Sequence, residues 1–297
     1  MADRSSLGPK VVAIGGGHGL STTLRAVRTY AGSITAIGTV ADDGGSSGRL
    51  RRELGILPPG DLRRALVALA AEGNVWADAF EHRFEGADLD GHALGNLVLV
   101  ALTEALGDFV AALDEAGRLL GACGRVLPST VDRVVLEADV DGRPVVGQVA
   151  VATALGRIAR VGLEPPDARA VPDAVEALRA ADQVVLGPGS LFTSVLAVLV
   201  VPALREALEG TAGRVVLVGN VCPDVETASL DAADHLAAVL AHGGRVDTLL
   251  AAEPGGLGID PDRIRALGSE LVAADVADPT LGVHDERRLA PVLAALL

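Results

Sequence analysis

The sequence predicts an α/β protein: a Rossmann-like, mainly parallel sheet with helices on both faces, plus a small antiparallel hairpin. Three observations predict it. Short apolar runs rich in Val and Ile alternate with segments of helical period. Glycine-rich turns stand where a strand hands over to a helix, at Gly15-Gly16-Gly17-His18-Gly19 and again at Gly187-Pro188-Gly189-Ser190. The pair Asp141-Gly142, between two β-rich runs, departs from the alternation and reads as a hairpin turn.

In chain order, residues 1–9 are polar with Gly and Pro and read as a flexible tail. Residues 11–14 read as a buried strand, 22–30 as a helix and 34–40 as a second strand. Residues 62–71 and 94–106 read as helices, and the second is apolar nearly all round, which predicts a buried helix whose first turn points into a cleft. The hairpin arms are 131–138 and 145–151. Strand 183–186, helix 191–199, strand 215–218, helix 232–241, strands 248–251 and 271–276, and a terminal helix 287–297 complete the order. No repeat, linker or second core boundary interrupts 10–297, which reads as a single domain.

The chain has 297 residues, 49% of them hydrophobic but only 2% aromatic, so its core must be built from Ala, Val and Leu. Trp76, Phe80 and Phe84 fall at helical spacing, which assigns them to packing. Cys123 and Cys222 lack metal-ligand spacing and read as buried free thiols. The net charge of −14 argues against nucleic acid or anionic lipid as a partner. The sequence shows neither a membrane-length apolar run nor a signal peptide, and predicts a cytoplasmic protein. Lys10 is the only lysine and stands in no glycine loop, which excludes a P-loop NTPase.

Ligands of a parallel sheet sit beyond the carboxyl ends of its strands. A glycine turn there lets backbone N–H groups approach an anion, and the following helix adds its positive end. Two such turns suggest a diphosphate, or two separate anions. Leu20 replaces the third glycine of a dinucleotide fingerprint, which weakens a nicotinamide reading with Asp42 on the ribose. Between the turns lies the densest polar stretch, "TVADDGGSSGRLRRELGILPPGDLRRALVALA". Its adjacent carboxylates, Asp42 and Asp43, could hold Mg²⁺ beside a phosphate, bind a ribose hydroxyl or act as a base, and Asp61 could contact the ligand. Asp61 alternatively caps a helix, and Arg49, Arg51 and Arg52 alternatively form a solvated helix face. "GHALGNLVLVAL" adds His92, Gly95 and Asn96.

The stretches "AIGGGHGLSTTLR", "DDGGSSGRLRRELGILPPGDLRRAL", "GHALGNLVLVALTEALGDF", "GRVLPST" and "VVLGPGSLFTSVL" resemble the gluconeogenesis-factor (YvcK) branch of the CofD superfamily, from about Lys10 to the C-terminus. The resemblance implies a CofD-like fold and a regulator of gluconeogenic growth, cell shape and peptidoglycan precursor supply. It also implies binding of a nucleotide-sugar such as UDP-N-acetylglucosamine, a protein partner in cell-wall precursor metabolism, and possible homo-oligomers. The sister branch of 2-phospho-lactate transferases offers the alternative, with Asp43 and Asp61 handling Mg²⁺ and acceptor. The branch has an aromatic where this chain has Leu230 in "ETASLDAADH", so the base must be held otherwise. A deazaflavin acceptor also lacks an aromatic platform here. The candidate ligand-binding set is Gly15, Gly16, Gly17, His18, Gly19, Asp42, Asp43, Ser46, Ser47, Gly48, Arg49, Asp61, His92, Gly95, Asn96, Gly187, Gly189, Ser190 and Asn220, with Asp43 and Asp61 as candidate metal ligands.

Overall fold

The computed structural model describes residues 8–297, so residues 1–7 of the expected tail lie outside the described residues. Gly32 N–H donates to the Pro9 carbonyl at 3.0 Å, which ties residue 9 down.

The described residues form ten strands: β1 (Lys10–Gly15), β2 (Ser33–Gly38), β3 (Arg125–Pro128), β4 (Val135–Val140), β5 (Arg143–Val146), β6 (Ile158–Glu164), β7 (Gln183–Leu186), β8 (Arg214–Val218), β9 (Thr248–Ala252) and β10 (Glu270–Ala274). Seven of them make one sheet in the order β10-β9-β8-β7-β1-β2-β3. Every pairing in it is parallel. Its central strands are buried along nearly their whole length, as β1 and β7 are, because helices cover the sheet and leave no solvated face. The chain steps outward from β1 to β3 on one side, and from β7 to β10 on the other. The strand order therefore reverses between β1 and β7, where Ile14 pairs with Leu186. In an open parallel sheet that junction is the natural crevice.

The remaining strands form a three-stranded antiparallel sheet, β5-β4-β6. Asp141 and Gly142 turn at φ 51° and 76°, both positive, as a two-residue hairpin requires. The second arm is shorter than expected. It ends at Val146, and residues 148–152 are helical, because Gly147 breaks the strand at φ 103°.

Five helices flank the glycine turns: α1 (Gly17–Val27), α2 (Gly45–Leu54), α3 (Gly60–Leu69), α4 (Val75–Glu81) and α5 (Leu94–Leu106). α1 starts five residues earlier than its propensity indicates. The glycine turn is itself the first turn of the helix, with Leu20 N–H donating to the Gly16 carbonyl at 3.2 Å. α2 takes up Gly-Ser-Ser-Gly, which local propensity reads as loop. α5 is buried on one face only, through Gly95, Asn96, Leu99 and Val100, and its far end runs to the surface, where Leu106 is exposed.

Of the aromatic trio only Phe80 is core. Trp76 is 43% exposed, and Phe84 lies beyond the end of α4, edge-on to the His82 ring at 5.1 Å. Both cysteines are exposed rather than buried, because each sits in a turn beside a strand: Cys123 before β3 and Cys222 after β8. The core is otherwise the expected Ala/Val/Leu assembly. Among the described residues no single helix is long and apolar enough to cross a membrane.

Candidate functional site

The two glycine turns meet. A Cβ on Gly19 would overlap the Pro188 carbonyl and sit 3.0 Å from Gly189 Cα, so the ends of β1 and β7 pack backbone against backbone. Together they line a cleft of about 370 Å³ with Asn220, Val221, Cys222 and Asp224 after β8, and with Gly282, Val283 and His284 after β10. A second lobe of about 330 Å³ is lined by Asp42, Ser46, Ser47, Asp61, Arg64, Arg83 and Asn96, among others. Gly17, Ser190 and Ser194 line both lobes, so they form one continuous site across the β1/β7 junction.

The two turns differ in what they offer. The first N–H groups of a helix have no intrahelical partner. At the start of α1 the Gly17 N–H faces the Asp61 carboxylate, and those of His18 and Gly19 have no partner among the described residues and stand beside the cleft. At the second turn the donors are largely taken. Gly189 N–H donates to Asn220 Oδ1 at 3.1 Å, and Phe192 N–H to Glu226 Oε1 at 2.8 Å. Glu226 thus occupies the helix start that an anion would otherwise use. The expected anion site is therefore concentrated at the first turn. The second turn supplies a wall and the Ser190 and Ser194 hydroxyls.

Glu226 is buried, and burial, aided by the charge of Asp224, pushes its carboxyl up from 4.5 to about 7. The folded protein then holds that proton longer than the unfolded chain. Its contribution makes stability fall as pH rises from about 4.5 to about 7. Glu226→Gln keeps the acceptor for Phe192 and should flatten that fall, adding about 3 kcal/mol at pH 8. Urea melts across pH 4–8 measure it.

In the second lobe the acidic pair is Asp42 with Asp61, not Asp43 with Asp61. Asp43 is committed elsewhere: its two carboxylate oxygens accept from Gln148 N–H at 3.0 Å and Val149 N–H at 2.9 Å, at the start of the helix Gln148–Ala152. Asp43→Ala should lower stability by about 1 kcal/mol, as loss of a cap does, and leave ligand affinity within about twofold. Thermal melts and titration calorimetry check the two parts. Asp61 does not cap α3. Pro59 holds that position, and Asp61 lies in the first turn with its carboxylate turned to the Gly17 N–H. Burial first, and then the charge of Asp42, raise it from 3.8 to about 6, against the pull of Arg64. Arg64 Nη1 stands 3.7 Å from Asp61 Oδ1.

Several other candidates frame the lobe. Ser46 Oγ lies 2.9 Å from His92 Nδ1 and 3.0 Å from Asn96 Nδ2, and Ser47 Oγ accepts from Gly60 N–H at 3.1 Å. His92 is buried, which lowers its pKa, and its ring meets Ser46 rather than the cleft lining. Gly48 and Gly95 are packing positions: a Cβ would overlap the Asp43 carbonyl at the first and crowd Phe80 and Arg63 at the second. Arg49 turns away, donating to the Asp90 carbonyl, and Arg51 donates to the Val134 carbonyl. The expected solvated arginine face is instead partly tied to neighbouring loops. His18 is exposed at the mouth, with its pKa lowered by partial burial and then by Arg64. Leu230 is not in the cleft at all; it lines a separate hollow with Leu155 and Val225.

Arg64, Arg83, Ser194, Asp224 and His284 also line the site, outside the set expected from the sequence. Arg64 directly follows Arg63 behind Asp61 and could have been found by helical spacing. His284 could not, since only the tertiary turn after β10 brings it to β8.

The arrangement suits an anion held by backbone at the first turn, with a cationic and hydroxyl-rich lobe beside it. Among the described residues no group of three or more His, Cys, Asp or Glu could hold a metal ion by itself. Asp42 and Asp61 nevertheless fit a hard divalent cation that completes its shell with phosphate oxygens and water, since the site offers two neighbouring carboxylates.

Residues 11–278 match the family described as 2-phospho-L-lactate transferase CofD. The chain is 48% identical to the putative gluconeogenesis factor of Mycobacterium tuberculosis, over 95% of this chain and 89% of that protein. It is 39% identical to the gluconeogenesis factor of Bacillus subtilis, over 97% and 98% respectively. A crystal structure of a UPF0052-family protein from Bacillus halodurans superposes with a TM-score of 0.92 at 38% identity, covering 97% of this chain and 99% of that one. The chain belongs to the CofD family, in the branch whose members are named gluconeogenesis factor.

Proposed function

We propose that the protein is a cytoplasmic nucleotide-sugar-binding regulator of gluconeogenic growth, cell shape and cell-wall precursor supply, acting through a protein partner. Its ligand is of the UDP-N-acetylglucosamine type. One observation carries the reading: the two lobes join at the β1/β7 reversal, and the residues they share adjoin the free amides of His18 and Gly19. A diphosphate at that junction directs the nucleoside into the lobe bounded by Asn220, Val221 and His284. The sugar then enters the second lobe, where the Asp42 carboxylate and the Arg64 guanidinium match its hydroxyls.

A second reading is favoured by the Asp42–Asp61 pair and by the family itself: a phosphotransferase of the 2-phospho-lactate type. Asp42 and Asp61 would hold Mg²⁺, which supplies charge neutralisation for phosphoryl oxygens. Titration calorimetry separates the readings. UDP-N-acetylglucosamine should bind in the micromolar range, about −8 kcal/mol, and GDP at least about tenfold more weakly. Absence of heat at millimolar UDP-N-acetylglucosamine, with tight GDP binding, would favour the transferase.

A further inference from the structure

The segment after β10 folds back as a short turn. Ala277 pairs with His284, Asp278 N–H donates to the Val283 carbonyl at 2.7 Å, and Asp285 N–H donates to the Val276 carbonyl at 3.0 Å. The tip is held by the Asp278 carboxylate, which accepts from the N–H groups of Thr280 at 2.8 Å and Leu281 at 3.1 Å. The turn rests on the segment after β8, where a Cβ on Gly282 would lie 3.2 Å from Cys222 Sγ.

This placement sets His284 into the wall of the first lobe, 7% exposed. Its ring is bonded to the backbone at Gly219, and burial holds the imidazole far down, at about 4. The ring is therefore neutral at physiological pH. The Gly219 carbonyl fixes one ring nitrogen as the N–H donor, so Nε2 carries a lone pair. Nε2 is buried and has no hydrogen-bond partner among the described residues. A buried acceptor without a partner is costly, and one on a residue of the cleft wall calls for an explanation. Beside it stand Val221 and the half-exposed Val283, which give the lobe aliphatic flanks. The aromatic rings among the lining residues are the imidazoles of His18 and His284, so the flanks of this lobe are otherwise aliphatic.

We infer that His284 is the base-selecting residue of the site: its Nε2 accepts the ring N–H of a uracil-type base lodged between Val221 and Val283. Nε2 is covered in the structure, so the contact requires the 280–283 turn to shift outward when the base enters. A fixed acceptor favours a ring that presents N–H, as uracil does at N3. It disfavours cytosine, whose N3 is itself an acceptor. The inference rests on the nucleotide-sugar reading above, and the test keeps the two apart.

UDP and CDP are titrated into the full chain and into His284→Ala by calorimetry, with thermal melts to confirm folding. The wild-type protein should prefer UDP by about tenfold or more, and the variant should bind the two within about twofold, chiefly by losing UDP affinity. If the variant does not fold, His284→Gln carries the test. Its amide can present a donor or an acceptor, so it too should lose most of the preference. A preference for UDP that survives in the folded variant overturns the role of His284 and leaves the nucleotide reading standing. Failure of the wild-type protein to bind UDP overturns that reading, and the inference with it.

Discussion

Gly19→Ala is expected to destabilise the protein by about 3 kcal/mol or more and to reduce nucleotide binding at least a hundredfold. On an ordinary helix the same change stabilises by about 1 kcal/mol, because alanine is the better helix former. The sign reverses here because of what faces the residue. The new Cβ would overlap the Pro188 carbonyl oxygen, and a backbone atom cannot rotate away as a side chain can. The turn at 187–190 has to retreat from α1, and the cleft wall retreats with it. Gly17→Ala is the control. Its Cβ has room, with Arg64 Nη1 at 3.9 Å as its nearest contact, but its φ of 58° places any side chain in the left-handed region. That strain is worth about 1–2 kcal/mol. Gly17→Ala should therefore fold, with a lower Tm and weakened binding, whereas Gly19→Ala should lose both. Chemical denaturation and calorimetry on the pair separate strain from collision.

The second large effect concerns Asp61. Raising this largely buried carboxyl, 15% exposed, from 3.8 to about 6 corresponds to about 3 kcal/mol. The folded protein keeps this proton longer than the unfolded chain, so the contribution of Asp61 makes stability fall from about pH 4 to about pH 6, and the deficit is complete above that. Asp61→Asn retains an oxygen for the Gly17 N–H and removes the charge that burial and Asp42 disfavour. It should raise stability at pH 7.5 by about 2–3 kcal/mol. The same charge faces the phosphates of the proposed ligand. Without Mg²⁺, Asp61→Asn should bind UDP-N-acetylglucosamine as well as the wild type or better; with Mg²⁺, any strengthening seen in the wild type should vanish. A residue that lowers stability while shaping the site is the signature of a functional carboxylate rather than a structural one. In the transferase reading the variant would instead lose turnover far more than affinity. Asp43→Asn should reproduce none of these charge effects, because Asp43 is spent on two backbone amides of the helix Gln148–Ala152.

The parallel sheet was legible because its strands are buried on both faces and read as unbroken apolar runs, as in 11–14 and 183–186. The hairpin was legible because Asp-Gly supplies the two positive φ values its turn needs. α2 and the start of α1 were not, because their glycines and serines are chosen for close approach, against helix propensity. In the site, the two glycine turns and Asp61 could be read from residue type and spacing. Asp43 could not be separated from Asp42, since adjacent residues carry no local sign of which one a distant helix end will claim. Glu226 and His284 were illegible for the same reason: each acts across more than thirty residues of sequence, Glu226 on the start of the helical turn Leu191–Leu196 and His284 on the end of β8.

Hydrogen–deuterium exchange with and without saturating UDP-N-acetylglucosamine reports where the ligand sits as well as whether it binds. Protection is expected in peptides covering 15–24 and 187–196, on the two sides of the β1/β7 junction, with smaller changes at 219–224 and 278–285. Unchanged exchange at 15–24, or protection confined to the cavity of about 680 Å³ beside β4 and β6, would contradict binding at that junction.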